Sequence, residues 1–138
     1  MIIRPHSILL DAEALSALAT GARIMQAWAT VARRSDSVLH ASAITLVEVT
    51  DGTARDSAVR RISKALRIDP VTEEIGYTAG RLRAAAASAR RKPRDLTVDA
   101  IVAATALALP APVVVLTGDP GDLGMLLAGA EVGVEGLA

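Results

Sequence analysis

Four acidic side chains stand in otherwise apolar stretches of the sequence: Asp11, Glu48, Asp99 and Asp119. A carboxylate in such surroundings is costly to bury unless it has a hydrogen-bonding partner or a bound cation. Two carboxylates about 4 Å apart repel each other by about 4 kcal/mol at an effective dielectric constant near 20. If the four side chains converge, a hard divalent cation, which prefers oxygen ligands, is therefore the expected occupant.

Each of these acids, considered alone, is better explained by a structural role. Asp11 and Asp119 could cap helices, and Pro120 suits the first position of a helix that Asp119 would cap. Asp99 falls in a first helical turn, where the helix dipole favours an acid. Glu48 fits no capping role. The functional interpretation therefore depends on convergence of all four side chains.

The elements that must position these acids alternate along the chain. Apolar runs predict strands at 7–10, 37–41 and 113–116, with weaker strands at 66–71 and, at an edge, 130–134. Helical spacing predicts helices at 11–20, 22–34, 42–52, 55–65, 72–91, 97–109 and 119–127, with Ser42, Thr72 and Thr97 as N-caps. This alternation requires crossover helices and predicts an α/β fold, a three-layer α/β/α sandwich with a mainly parallel central sheet.

Two of the acids are predicted to lie at the same edge of that sheet. Asp11 directly follows the first predicted strand, and Asp119 follows the 113–116 strand after Thr117 and Gly118. In an open parallel sheet, ligands bind outside the carboxyl ends of the strands. This edge is therefore the predicted site.

Composition limits the class of protein. A chain of 138 residues has the length of one domain, 1–138, and a hydrophobic content of 51% excludes a disordered chain. With no Cys, disulfides and thiolate metal sites are excluded, and a reducing cytoplasm is the expected location. The uncharged segment 100–118 is long enough to span a membrane, but Pro110 and Pro112 interrupt it. We therefore expect no membrane segment, and no signal peptide either.

The charges are unevenly distributed although the net charge is zero. Residues 55–94 have eleven basic and four acidic side chains, whereas 95–138 have six acidic and no basic ones. This asymmetry is compatible with a polyanionic partner held near an acidic metal site. Charge alone, however, favours the simpler interpretation of a solvated helix face.

Four short motifs together resemble a known family. They are LDAEAL from Leu10, SAITLVEV from Ser42, VDAIVAATA from Val98 and LTGDPGDL from Leu116. In this order and spacing they resemble the PIN domain and, within it, the VapC-type toxins of bacterial toxin–antitoxin pairs. The resemblance extends from Ile8 to about Leu127, which is nearly the whole chain.

The resemblance implies a PIN-like fold with an acidic site that holds one or two Mg²⁺ or Mn²⁺ ions and cleaves RNA phosphodiester bonds. The implied metal ligands are Asp11, Glu48, Asp99 and Asp119, with Asp122 as a further ligand and Thr117 as a helper hydroxyl. Glu13 is a departure, because the family usually has Ser or Thr at that position. Glu13 could add a ligand charge, turn outward or indicate a changed activity.

The resemblance also implies partners: an RNA substrate, a small antitoxin protein and a second copy of the chain in a homodimer. Basic residues on and after the long helix are the predicted RNA-backbone contacts: Arg81, Arg83, Arg90, Arg91, Lys92 and Arg94. Met25 and Trp28 on the 22–34 helix could face an antitoxin, although a core role is the favoured interpretation. His6 and His40 are interpreted as structural or surface residues, because nothing beside them in sequence forms an acid–base pair.

Two alternatives remain open. A Mg²⁺-dependent phosphatase would use Asp11 as nucleophile, but such enzymes commonly have a second Asp where this chain has Glu13. The second alternative is a binding protein that keeps the fold but has weakened or lost catalysis. Glu13 is again the feature that supports this alternative. A P-loop nucleotide site is excluded, because TGDPG from Thr117 lacks its Lys and its spacing.

Overall fold

Strands and helices alternate along the chain in the computed structural model, which describes residues 4–89 and 95–137. The strands in these ranges are β1 (Ser7–Leu10), β2 (Val38–Ser42), β3 (Arg67–Asp69), β4 (Val113–Thr117) and β5 (Val132–Gly136). The helices are α1 (Ala12–Ala19), α2 (Arg23–Ser35), α3 (Ala43–Val49), α4 (Asp56–Ser63), α5 (Glu73–Ala89), α6 (Thr97–Ala108) and α7 (Pro120–Leu126). Every predicted element is present, and most bounds differ from the prediction by only a few residues.

The five strands form one sheet in the order β3-β2-β1-β4-β5, and each neighbouring pair is parallel. The central strand β1 pairs with β4 so that Leu10 lies opposite Leu116. The predicted parallel sheet is confirmed, as is the edge position of the last strand. Because all strands run the same way, their carboxyl ends share one edge.

Each face of the sheet is covered by helices. On one face, Leu9 and Val115 are fully buried in a core cluster that includes side chains of α5, α6 and α7. On the other, Ile8, Leu10 and Leu116 are fully buried in a cluster with side chains of α1 and α2. A strand buried on both faces is expected to be a continuous apolar run, which is what β1 and β4 show. The predicted α/β/α sandwich is confirmed.

Two of the three predicted N-caps are confirmed. The Ser42 hydroxyl accepts a hydrogen bond from the Ile44 N–H, and the Thr72 hydroxyl accepts one from the Ile75 N–H. The third prediction is wrong, because α6 begins at Thr97 itself. Asp95 is the stronger acceptor there: its carboxylate accepts from both the N–H and the hydroxyl of Thr97.

The proline break and the core role of α2 are also as predicted. The helix α6 ends at Ala108 and β4 begins at Val113, on either side of the two prolines. In the described ranges, no helix is long and apolar enough to cross a membrane. Met25 is buried in the core, and Trp28 packs against the same cluster, so the core interpretation is confirmed for both side chains.

Candidate active site

Asp11 joins the ends of the two central strands. It directly follows β1, and its N–H donates to the carbonyl of Leu116 in β4 at 3.1 Å. One carboxylate oxygen, Oδ1, caps α1 by accepting from the Ala14 N–H at 2.9 Å. The other, Oδ2, accepts from the Gly118 N–H at 3.2 Å. The loop after β4 is therefore held against the first acid, as the topology predicted.

Asp119 lies in the same loop and caps the next helix. Its Oδ1 accepts from the Asp122 N–H at 3.2 Å, which fixes the start of α7. Its own N–H donates to the buried Thr117 hydroxyl at 2.8 Å. Thr117 thus orients the backbone of Asp119, and its expected role as a helper hydroxyl stays a prediction. Asp122 is buried in the first turn of α7.

Glu13 turns toward this loop. The Glu13 carboxylate lies so close to the Cα of Gly118 that a Cβ built on Gly118 would overlap it. Gly118 does not have a positive φ, and the group that its Cβ would meet is the end of the flexible Glu13 side chain. Glu13 is nevertheless an exposed residue, and the three interpretations offered for it stay predictions. Sequence reasoning did not identify Gly118, whose role becomes visible only when its neighbours are placed.

Glu48 and Asp99 lie on other elements, α3 and α6. Glu48 is exposed in the last turn of α3 and lines a surface groove together with Thr20 and Arg55. Asp99 is partly exposed in the first turn of α6. In the ranges 4–89 and 95–137, no three acidic or histidine side chains are grouped closely enough to hold a metal ion. The four-carboxylate centre therefore stays a prediction.

A buried hydroxyl lies one helical turn before Glu48. Thr45 is fully buried in α3, and among the described residues its Oγ1 has no hydrogen-bonding partner. Unsatisfied buried polar groups are rare in proteins and cost free energy. Sequence reasoning did not single out Thr45, because its burial depends on how α3 packs against α1 and α6.

Two of the predicted RNA contacts, Arg81 and Arg83, lie within the described residues. Both are exposed on α5. Arg81 donates to Thr78 on its own helix at 3.3 Å, whereas Arg83 donates to the Thr97 hydroxyl at 2.9 Å. Arg83 thus places a cation beside the helical turn that contains Asp99. Arg90, Arg91, Lys92 and Arg94 lie outside the described residues.

The interpretation of His40 needs one correction. His40 is buried, as a structural residue would be, but it does have an acidic partner: its Nδ1 lies 2.8 Å from Asp69 Oδ2. The two are 29 residues apart and meet because β2 and β3 pair in parallel, with Ser42 opposite Asp69. The residues next to His40 in the sequence therefore did not reveal its acidic partner. His6 is exposed.

Hydrogen bonds lower the pKa of two exposed carboxyl groups near helix starts. The Thr97 hydroxyl, with the Thr97 N–H, lowers the pKa of Asp95 below its ordinary value. The Thr53 hydroxyl and N–H do the same to the pKa of Asp51. Both carboxylates are ordered by a threonine two residues later, and neither was predicted as part of a site.

The PIN domain family model matches residues 8–121, which include every predicted ligand except Asp122. The chain therefore belongs to the PIN domain family. Among curated proteins, no sequence matches this chain.

Several solved structures share the fold. DNA-bound VapBC from Salmonella typhimurium superposes with a TM-score of 0.70 and 15% identity, covering 96% of this chain and 98% of that one. FitAcB from Neisseria gonorrhoeae gives a TM-score of 0.67 and 23% identity, covering 92% and 95%. A toxin–antitoxin complex from Klebsiella pneumoniae gives a TM-score of 0.65 and 22% identity, covering 95% and 98%. At such low identity, these similarities establish the fold alone.

Proposed function

We propose that this PIN-domain protein is a Mg²⁺- or Mn²⁺-dependent endoribonuclease and the toxin of a VapBC-like toxin–antitoxin pair. The observation that supports this most is the junction of Asp11 with Gly118, since it joins the first and last acidic motifs at the carboxyl edge of the sheet. Ligands of parallel sheets bind at this edge.

The residues at this edge have the right chemistry for a hard divalent cation. Carboxylate and hydroxyl oxygens are the ligands that Mg²⁺ and Mn²⁺ prefer. The crowding of the Glu13 carboxylate against Gly118, next to Asp11, concentrates negative charge there. Asp11, Glu48, Asp99 and Asp119 would hold the ion. A bound divalent ion would provide an activated water and neutralise charge on the phosphate.

The chain's own residues would orient the site and the substrate. Asp11 and Asp119 are held in place by the backbone N–H groups they cap, so each acid needs little reorganisation to act. Arg83, beside the turn that contains Asp99, would contact the RNA backbone. A phosphate contact of this kind adds affinity that falls with salt and does not select a sequence.

A groove beside α2 is a suitable docking surface for the antitoxin. It lies between α2, α4 and the edge formed by β2 and β3, and its lining is mostly apolar. Its lining includes Arg33, Lys64 and Arg67, and none of its described lining residues is acidic. An apolar segment with acidic side chains would therefore fit it. The Klebsiella pneumoniae structure, which is a toxin–antitoxin complex with the same fold, supports an antitoxin as the partner.

Cleavage of RNA tests the proposed activity. We expect the purified full chain to cleave RNA internally with Mn²⁺ and to stop when the metal is chelated. Asp11→Asn should remove this activity, because it replaces a charged ligand with a neutral one. Glu73→Gln, which changes an exposed acid in the first turn of α5, is the matched control and should cleave like the parent.

The same assay distinguishes the alternatives. An RNA left intact by a chain that binds Mn²⁺ would favour the binding protein. A phosphorylated Asp11 recovered after incubation with a phosphomonoester would favour the phosphatase. For the partner, we expect production of this chain to arrest growth and co-expression of its antitoxin to relieve that arrest. Lys64→Glu with Arg67→Glu should weaken that relief, whereas Arg60→Glu, whose cation does not line the groove, should not.

The proposed homodimer is tested by the mass of the full chain in solution.

A further inference from the structure

We propose that two copies of this chain pair through the outer face of α5, in an antiparallel arrangement centred on Tyr77. This inference rests on the proposed homodimer and assigns it a surface. The outer face has two rows of exposed residues at helical spacing, with Glu73, Tyr77 and Arg81 in one row and Gly76, Gly80 and Ala84 in the other.

Tyr77 is the most prominent side chain of this face. It is one of only two aromatic residues in the chain, yet its side chain is 71% exposed. The opposite side of α5 contributes Ile75, Ala79 and Ala86 to the core, so the orientation of the helix leaves Tyr77 in solvent. Tyrosine is enriched in protein–protein interfaces and among the residues that contribute most to binding.

The charges on the outer face are self-complementary. Glu73 lies four residues before Tyr77, and Arg81 lies four residues after it. When two copies pair antiparallel about Tyr77, Glu73 of each copy lies opposite Arg81 of the other. A parallel pairing would instead place like charges opposite each other. A two-fold interface uses the same patch on both copies, and this charge pattern meets that requirement.

The row of small residues provides room for the tyrosine of the second copy. No described atom outside the neighbouring part of the helix lies within 4 Å of a Cβ built on Gly76 or Gly80. This row runs beside the row that contains Tyr77, so the ridge of one helix can enter the groove of the other. The ridge and the groove belong to one face, as an interface between identical copies requires.

RNA and the antitoxin fit this face less well than a second copy. Glu73, next to Tyr77, would repel phosphates, and Glu74 is a further exposed acid. The groove proposed for the antitoxin differs, because its charged lining residues are all basic. Arg81, predicted as an RNA contact, is here assigned to the second copy, whereas Arg83 keeps its proposed role. The face contains none of the acids proposed to hold the ion, so Glu73→Gln remains a control for cleavage.

Single cysteines locate the contact, because the chain has no cysteine of its own. We expect Tyr77→Cys to form a disulfide-linked dimer on oxidation, since the two sulfur atoms would lie at the two-fold axis. Ser88→Cys, exposed on the same helix, is the control. In an antiparallel pair its two copies lie about 33 Å apart, so it should stay unlinked. Linkage of both variants would indicate a parallel pair and contradict the proposal.

Charge exchange tests the ion pairs through the mass of the full chain at several concentrations. We expect the parent to dimerise, and Tyr77→Ala and Arg81→Glu each to raise the dimer Kd about tenfold or more. The double variant Glu73→Arg with Arg81→Glu restores opposite charges across the axis and should dimerise like the parent. Arg60→Glu, which reverses an exposed charge on α4, is the matched control. All these side chains are exposed, so the Tm of each variant should stay near that of the parent.

The outcomes separate this inference from the proposed function. If the parent dimerises and both Tyr77→Ala and Arg81→Glu dimerise equally well, the outer face is overturned and the proposed homodimer stands. A monomeric parent would overturn both, while the proposed nuclease activity is decided by RNA cleavage alone. If Tyr77→Ala lost RNA or antitoxin binding without a change in mass, the face would belong to that partner and the inference would be wrong.

Discussion

The carboxylate of Asp11 accepts a hydrogen bond from the backbone of Gly118, 107 residues further along the chain. Its other oxygen caps α1 through the Ala14 N–H. A single side chain thus fixes the start of a helix and the position of the loop that contains Asp119. Asp11 therefore has a structural role in addition to its proposed catalytic one, and the two roles can be separated by substitution.

Replacing Asp11 with Ala should lower the free energy of unfolding by about 2 to 4 kcal/mol, because it removes a helix cap and a charged hydrogen bond. Asp11→Asn should lower the free energy of unfolding by about 1 kcal/mol. Asn still caps helices, but its side chain accepts the hydrogen bond from Gly118 without a negative charge. Urea denaturation of both variants measures the difference. If Asn destabilises the fold as much as Ala, the cap is not the main structural contribution.

The order of elements could be predicted from sequence because each strand is a short apolar run and each helix has helical spacing. Asp11 and Asp119 were correctly assigned to one edge, since topology alone brings the ends of parallel strands together. The contact between Glu13 and Gly118 could not be predicted, because it depends on the rotamer of a long side chain. The pairing of His40 with Asp69 was also hidden, because it depends on the register of two strands.

The His40–Asp69 pair should stabilise the edge strand β3. Either His40→Ala or Asp69→Ala alone should lower the free energy of unfolding by about 1 to 3 kcal/mol, because each leaves a largely buried polar partner without its hydrogen bond. The double variant should cost less than the sum of the two single variants. Urea denaturation of the complete cycle measures the coupling. Strict additivity would mean that the pair contributes nothing as a pair.

The pKa of Asp95 should depend on Thr97. The hydrogen bonds from Thr97 lower this pKa from its ordinary value of 3.8, so their stabilisation is present above that pH and is lost as the pH falls through the lowered folded value. Thr97→Val should raise the pKa of Asp95 toward 3.8. Carboxyl NMR titration checks this, with Asp51, whose partner is Thr53, as the internal control. An unchanged pKa of Asp95 would contradict the assigned hydrogen bonds.

The buried hydroxyl of Thr45 should contribute no stability. Thr45→Val keeps the shape and removes a group that has no partner among the described residues, so the free energy of unfolding should stay the same or rise by about 1 kcal/mol. Thr105→Val is the matched comparison, because the buried Thr105 hydroxyl donates to the Ile101 carbonyl at 2.8 Å. It should lose about 1 kcal/mol. Chemical denaturation would contradict this account if Thr45→Val proved the more damaging change.

The most direct measurement is the rate of RNA cleavage by the parent and by Asp99→Asn across one Mn²⁺ titration. The parent's rate should rise with Mn²⁺ and saturate. The rate of Asp99→Asn should stay at least about a hundredfold lower at every concentration, because a ligand of the proposed ion has lost its charge. Equal rates for the two proteins, or cleavage by the parent that persists after chelation, would contradict a metal-dependent centre built on these acids.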